Sequence, residues 1–131
     1  MSILSDLAEA EYVSKFVPKG ALLHRFVDTK AARNNVSAQP ADFLVAHGGR
    51  MWFAEVKSTH EKVSFPFSAL QRSQRQTLTL SVKHGVEYLV YVKREGTGQW
   101  YRIPATLIIA TIDKGKQSLR WDELENHICQ V

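Results

Sequence analysis

The sequence predicts a mixed α/β (α+β) domain in which a central β-sheet is flanked by helices. Three observations point there. Two segments, about 5–17 and 68–84, have helical composition or spacing. Short apolar segments bounded by turn residues lie between and after them. The second helical segment falls between the strands around Glu55 and Val90, where a parallel crossover needs one.

From Ser5 to about Val17 the chain lacks Gly and Pro and is rich in Leu, Ala and Glu, with Ser5-Asp6 as N-terminal cap and Pro18-Lys19-Gly20 as stop. Ala21 to Asp28, Ala41 to His47 and Met51 to Ser58 read as strands, the last two joined by a two-residue Gly48-Gly49 hairpin. Ser68 to His84 repeats Leu70, Gln74, Leu78 and Val82 every fourth residue and ends at Gly85, a left-handed cap. Val86 to Val92 is β-branched and aromatic enough for a buried strand, and Gly96 to Gly98 turns it into Trp100 to Ile103. Leu119 to Ile128 reads as a closing helix, so the expected order is α-β-β-β-α-β-β-α.

At 131 residues the chain is expected to be one domain, 1–131, without repeats or an interdomain linker. A hydrophobic content of 44% and 13 aromatic residues exclude disorder, collagen and coiled coil as whole-chain descriptions. No apolar run reaches the ~18 residues of a membrane span. The opening Met1 to Asp6 has neither a basic n-region nor a long h-region, so a cytoplasmic chain with no membrane partner is expected. Cys129, the single cysteine, forms no internal disulfide and cannot build a cysteine-based zinc site. The net charge of +4 permits a phosphate partner without demanding one. Its distribution says more: residues 14–41 hold Lys15, Lys19, Arg25, Lys30 and Arg33 against Asp28 alone, while the C-terminal end is acidic.

The hairpin carries the chemistry. With Gly48 and Gly49 at its tip, His47 pairs with Arg50, and counting back along both strands places Asp42 directly opposite Glu55. Lys57, two residues on, shares the Glu55 face. Opposed like charges destabilise a sheet, so something cationic belongs there. Lys57 partly neutralises the pair, and two converging carboxylates are also half of the hard-oxygen shell that Mg²⁺ accepts, with the Val56 carbonyl able to complete it. A structural Asp/Lys/Glu ion pair is the plainer alternative. Gln74 lies on the apolar Leu70/Leu78 face, where an uncompensated amide is costly, and is expected to point inward at this site.

Pro40-Ala41-Asp42 followed by Glu55-Val56-Lys57 resembles the motif of the PD-(D/E)XK nucleases. Further context is similar to the Holliday junction resolvases of that superfamily, archaeal Hjc-type and RecU-like. Leu7 to Val13 resembles the acidic helix that opens the archaeal enzymes, whose first glutamate joins the metal site; Glu9 fits that role. Ala10 stands where those enzymes have arginine, which leaves Glu9 and Glu11 both open. Val63-Ser64-Phe65-Pro66-Phe67 followed by Gln74 resembles RecU, and Ser37 resembles a serine that precedes the archaeal catalytic aspartate.

The resemblance implies a restriction-endonuclease-like core and a homodimeric, Mg²⁺-dependent endodeoxyribonuclease, with Mn²⁺ as a substitute ion. It would make paired symmetric nicks in four-way junction DNA during recombination and repair. The catalytic set would be Asp42, Glu55, Lys57, Glu9 and Gln74, and the metal ligands Asp42, Glu55, Val56 and Glu9. Lys30, Arg33 and Ser37 on the loop before Asp42, and Lys62, Arg72 and Arg75 after the motif strand, are candidates for DNA contact. Two readings compete: another PD-(D/E)XK nuclease, VRR-type or restriction- or mismatch-like, and a non-catalytic DNA-binding module. His60, the one histidine near the motif, is a minor candidate proton carrier.

Overall fold

A five-stranded mixed sheet forms the centre of the computed structural model, which describes residues 3–27 and 39–130. Helix α1 (Ile3–Phe16) leads into β1 (Leu22–Arg25), and β2 (Phe43–His47) and β3 (Arg50–Thr59) form the motif hairpin. After β4 (Ser64–Pro66) and a 3₁₀ turn at Phe67–Ala69 comes α2 (Arg72–Lys83), then β5 (Glu87–Arg94) and β6 (Gln99–Pro104). The chain closes with α3 (Ala105–Asp113), β7 (Ser118–Arg120) and a 3₁₀ helix at Trp121–His127.

The sheet order is β1-β2-β3-β5-β6, while β4 and β7 pair separately. β1, β2 and β3 form antiparallel pairs in turn, β3 and β5 are parallel across the α2 crossover, and β6 returns antiparallel. At the hairpin tip Gly48 and Gly49 adopt φ of 59° and 78°, the left-handed pair that a tight two-residue turn demands. The register is therefore the expected one, with His47 opposite Arg50 and Phe43 opposite Ala54.

Both faces of the sheet are covered. On one, Ala8 and Tyr12 of α1 pack on Phe43, Val45, Trp52, Ala54, Val56 and Tyr91. On the other, Leu78 of α2 and Ile108 of α3 pack with Tyr88, Val90, Val92 and Ile103. Trp52, Trp100 and Trp121 are all buried.

Two sequence expectations need correction. Ala105–Asp113, which carries no element in the expected order, is helix α3. Its Thr and Ile residues have modest helix propensity, but Ile108 is fully buried against the sheet, and that burial outweighs propensity. Pro104 before it and Gly115 after it, at φ 83°, are the start and stop signals. The expected closing helix over Leu119 to Ile128 is instead a strand followed by 3₁₀ turns. Phe65 of β4 pairs with Leu119, and pairing to β7 claims the backbone that a helix would have used.

Helix α2 begins at Arg72, later than Ser68, because Gln71 and Gln74 form a reciprocal capping box. Gly85, at φ 72°, follows the helix as expected. Among the described residues no helix is long and apolar enough to cross a membrane.

Candidate active site

Asp42 and Glu55 meet where β2 begins. The Asp42 backbone N–H donates to Glu55 Oε1 at 3.1 Å, and Asp42 Oδ2 accepts the Val56 N–H at 2.8 Å. Each acid thus takes the backbone donor that regular pairing would have used beyond Phe43. The hairpin register has become a lock between two carboxylates. Val56 presents its N–H toward Asp42, and in a strand the carbonyl of the same residue faces the same edge, so it too is turned toward the pair.

Glu55 is 1% exposed, an unusual burial for a carboxylate. Its Oε2 accepts Gln74 Nε2 at 2.5 Å and stands 3.4 Å from Lys57 Nζ. The inward orientation expected for Gln74 is present, and helix capping enforces it. Gln74 Oε1 accepts the Gln71 N–H at 2.9 Å, which leaves the nitrogen end of the amide to face Glu55.

Burial pushes the Glu55 carboxyl up to about 8, with the Asp42 charge adding to the rise and Lys57 opposing it. Asp42 is also raised, by burial first, against the Val56 N–H and the Lys57 and Arg25 charges. Lys57 and Arg25 together do not offset the burial of the two carboxylates, and both stay raised. The set is an all-oxygen, under-compensated anionic site, and the residues present fit a hard divalent cation.

Glu9 and Glu11 separate cleanly. Glu9 is buried beside the pair: its carboxyl is raised by burial and then by Asp42, and Arg25 Nη2 lies 3.2 Å from its Oε1. Glu11 points elsewhere, accepting Lys93 Nζ at 2.8 Å, Trp100 Nε1 at 2.5 Å and Lys15 Nζ at 3.1 Å. Residues two apart on a helix are rotated by about 200°, so these acids cannot serve one site. Glu9 is the α1 acid near Asp42. Arg25 holds it, and among the described residues no group of three acidic, His or Cys side chains is placed to hold an ion.

Lys62, Arg72 and Arg75 are exposed, Lys62 on the loop after β3 and the arginines on the first turns of α2. His60 is exposed on that same loop. Lys30, Arg33 and Ser37 lie outside the described residues. Sequence reasoning assigned no role to Arg25 or to Tyr88, whose hydroxyl donates to the Pro40 carbonyl at 2.8 Å. Neither carried a signal, since the β1 and β5 registers join strands that are far apart in the sequence or separated by a crossover.

No protein-family model and no curated protein matches the chain. Among solved structures it is similar to Hjc of Archaeoglobus fulgidus, described as a Holliday junction resolvase from an archaeal hyperthermophile. The TM-score is 0.54 at 18% identity, over 79% of this chain and 75% of that one. The chain shares the fold of that protein, a mixed sheet flanked by helices. In this Hjc-type fold the motif hairpin supplies Asp42, Glu55 and Lys57, α2 supplies Gln74, and α1 supplies Glu9.

Proposed function

We propose that the chain is a divalent-metal-dependent endodeoxyribonuclease which, as a homodimer, resolves four-way DNA junctions by paired symmetric nicks. The observation that carries this reading is Glu55: a buried carboxylate opposed by Asp42, contacted by Lys57 and Gln74, in a fold shared with a resolvase. A structural ion pair has no need of two opposed acids, which cost stability unless a cation joins them.

Asp42, Glu55 and the Val56 carbonyl would hold Mg²⁺ or Mn²⁺, with Glu9 joining as its Arg25 contact is exchanged. The ion would supply Lewis-acid polarisation of the scissile phosphate and a water acidified for attack. Lys57, fixed at 3.4 Å from Glu55, would orient that water and stabilise charge developing on phosphorus oxygens. Gln74 would hold Glu55 in one rotamer, and Lys62, Arg72 and Arg75 would bind flanking phosphates with Lys30, Arg33 and Ser37. A four-way junction has approximate two-fold symmetry, so a C2 dimer would present one such site to each of two strands.

The test is incubation of the purified chain with four-way, flap, nicked and linear DNA, with Mg²⁺ or EDTA, each strand labelled in turn. Symmetric nicks in opposing junction strands, requiring Mg²⁺, are expected. Equal cleavage of flap or linear DNA would favour a related nuclease, and binding without cleavage in either condition would leave a DNA-binding module.

A further inference from the structure

Asp42 follows Pro40 at the point where an irregular segment enters β2, and four hydrogen bonds fix this entry. Three come from neighbours in the sheet. The Asp42 carbonyl accepts the Phe26 N–H at 2.9 Å, its N–H donates to Glu55, and its carboxylate accepts the Val56 N–H. The fourth comes from farther away: the Tyr88 hydroxyl donates to the Pro40 carbonyl at 2.8 Å.

Tyr88 belongs to β5, and β3 lies between β5 and β2. The ring is 2% exposed on the α2 side of the sheet, in register with Phe53 and 5.8 Å from it. Its hydroxyl therefore passes beneath β3 to reach the strand entry. Regular β2–β3 pairing starts at Phe43, so the Pro40 carbonyl has no ladder partner. Pro40 has no N–H and a fixed φ, which makes this carbonyl its one backbone handle. A bond there sets the plane of the following peptide, and with it the direction in which buried Ala41 and then Asp42 leave.

From this geometry we infer that Tyr88 is a positioning residue: its tether to Pro40 sets the placement of the Asp42 carboxylate against Glu55, and so the affinity of the pair for a divalent ion. The inference rests on the metal-nuclease reading above. The bland role for the hydroxyl is mere satisfaction of a buried polar group. That role predicts a loss of stability alone. Positioning predicts a change at the ion site as well, since groups that orient metal ligands typically change affinity or activity 10–100-fold.

The experiment compares the full chain with Tyr88→Phe, which deletes one oxygen and keeps the ring, and with Thr111→Val. Thr111 is a buried α3 residue whose Oγ1 donates to the Leu107 carbonyl at 2.7 Å, so its loss reports destabilisation alone. Three quantities are read: melting temperature, Mn²⁺ binding by calorimetry without DNA, and the Mg²⁺ concentration giving half-maximal junction nicking. Both variants should melt a few degrees lower. Tyr88→Phe alone should weaken Mn²⁺ binding and raise the Mg²⁺ half-point, each about tenfold. Nicking by that variant at saturating Mg²⁺ should recover toward the unmodified rate. Wild-type-like Mn²⁺ binding by Tyr88→Phe, or equal weakening in both variants, overturns the tether. A wild-type chain that binds no Mn²⁺ overturns the nuclease reading and the tether with it. One that binds Mn²⁺ but cuts no DNA overturns the nuclease reading alone, because the calorimetric comparison still tests the tether.

Discussion

Gln74 Nε2 donates to Glu55 Oε2 at 2.5 Å while the oxygen of the same amide caps α2 at the Gln71 N–H. One side chain therefore starts the helix and holds the buried acid. Removing it should cost both functions. Gln74→Ala loses a cap worth about 1 kcal/mol and a charge-assisted donor worth about 1.5–3 kcal/mol. Urea unfolding should show a deficit of about 2.5–4 kcal/mol, and Mg²⁺-dependent cleavage should fall. A variant unfolding at the wild-type urea midpoint would remove Gln74 from the site.

Glu55 sets a pH dependence whose sign follows from its raised carboxyl. Folding holds this group near 8 against an ordinary 4.5, so the unfolded chain ionises it more easily. Without divalent ions the stability of the folded state is full below 4.5 and declines as pH rises through about 8. Glu55→Gln should remove that decline, be more stable than wild type near pH 8 in EDTA by about 1–3 kcal/mol and so melt higher there, bind junctions and cut none. Melting curves from about pH 5 to about pH 8 decide it. A flat wild-type profile, or nicking by the variant, contradicts the assignment.

Glu11 has the opposite sign. Burial pushes its carboxyl up, but hydrogen bonds from Lys93, Trp100 and Lys15 win and hold it down at about 2. Its stabilisation is present above the ordinary 4.5 and is lost as pH falls through about 2. The group is 23% exposed, so solvent screening discounts the effect to about 1–2 kcal/mol. Glu11→Gln should lose that stability near neutral pH and flatten the acid limb. Glu9→Gln should leave the acid limb in place and reduce cleavage. Acid titration followed by circular dichroism separates the two, and exchanged phenotypes would reverse the assignment of the α1 acid.

Junction affinity should fall steeply with salt. Each phosphate neutralised on duplex DNA contributes about −0.9 to the log–log slope. Replacing Lys62, Arg72 and Arg75 together by Ala should make the slope shallower by about 0.9 for each phosphate that a protomer no longer neutralises, measured by fluorescence anisotropy across a salt series. An unchanged slope would move DNA binding away from the start of α2.

Glu9 and Glu11 show where sequence reading stops. Both lie on one helix, and periodicity states only that they face different ways. Which one faces Asp42 depends on how α1 lies across β3, a rotation fixed by Ala8 and Tyr12 in the core. The Asp42–Glu55 encounter was legible because a glycine turn and strand alternation are local, and two residues at a hairpin tip set every pair behind them. Helix α3 was missed although Pro104 and Gly115 flank it, because an Ile- and Thr-rich run fits strand and buried helix alike. The closing segment failed for a related reason: β7 exists through pairing with β4, a partner about fifty residues away.

Backbone periodicity and turns of few residues were enough to establish the α/β class, the hairpin register, the opposition of Asp42 to Glu55 with Lys57 beside it, and the inward face of Gln74. All of these are legible in the chain before it folds. Folding alone settles that Glu9 and not Glu11 stands by the pair, that Arg25 holds Glu9, and that Tyr88 reaches Pro40 beneath β3. Those interactions join residues on separate elements. Their geometry is set by how layers of side chains fill the space between helix and sheet, a many-body packing condition that no local pattern in the chain encodes.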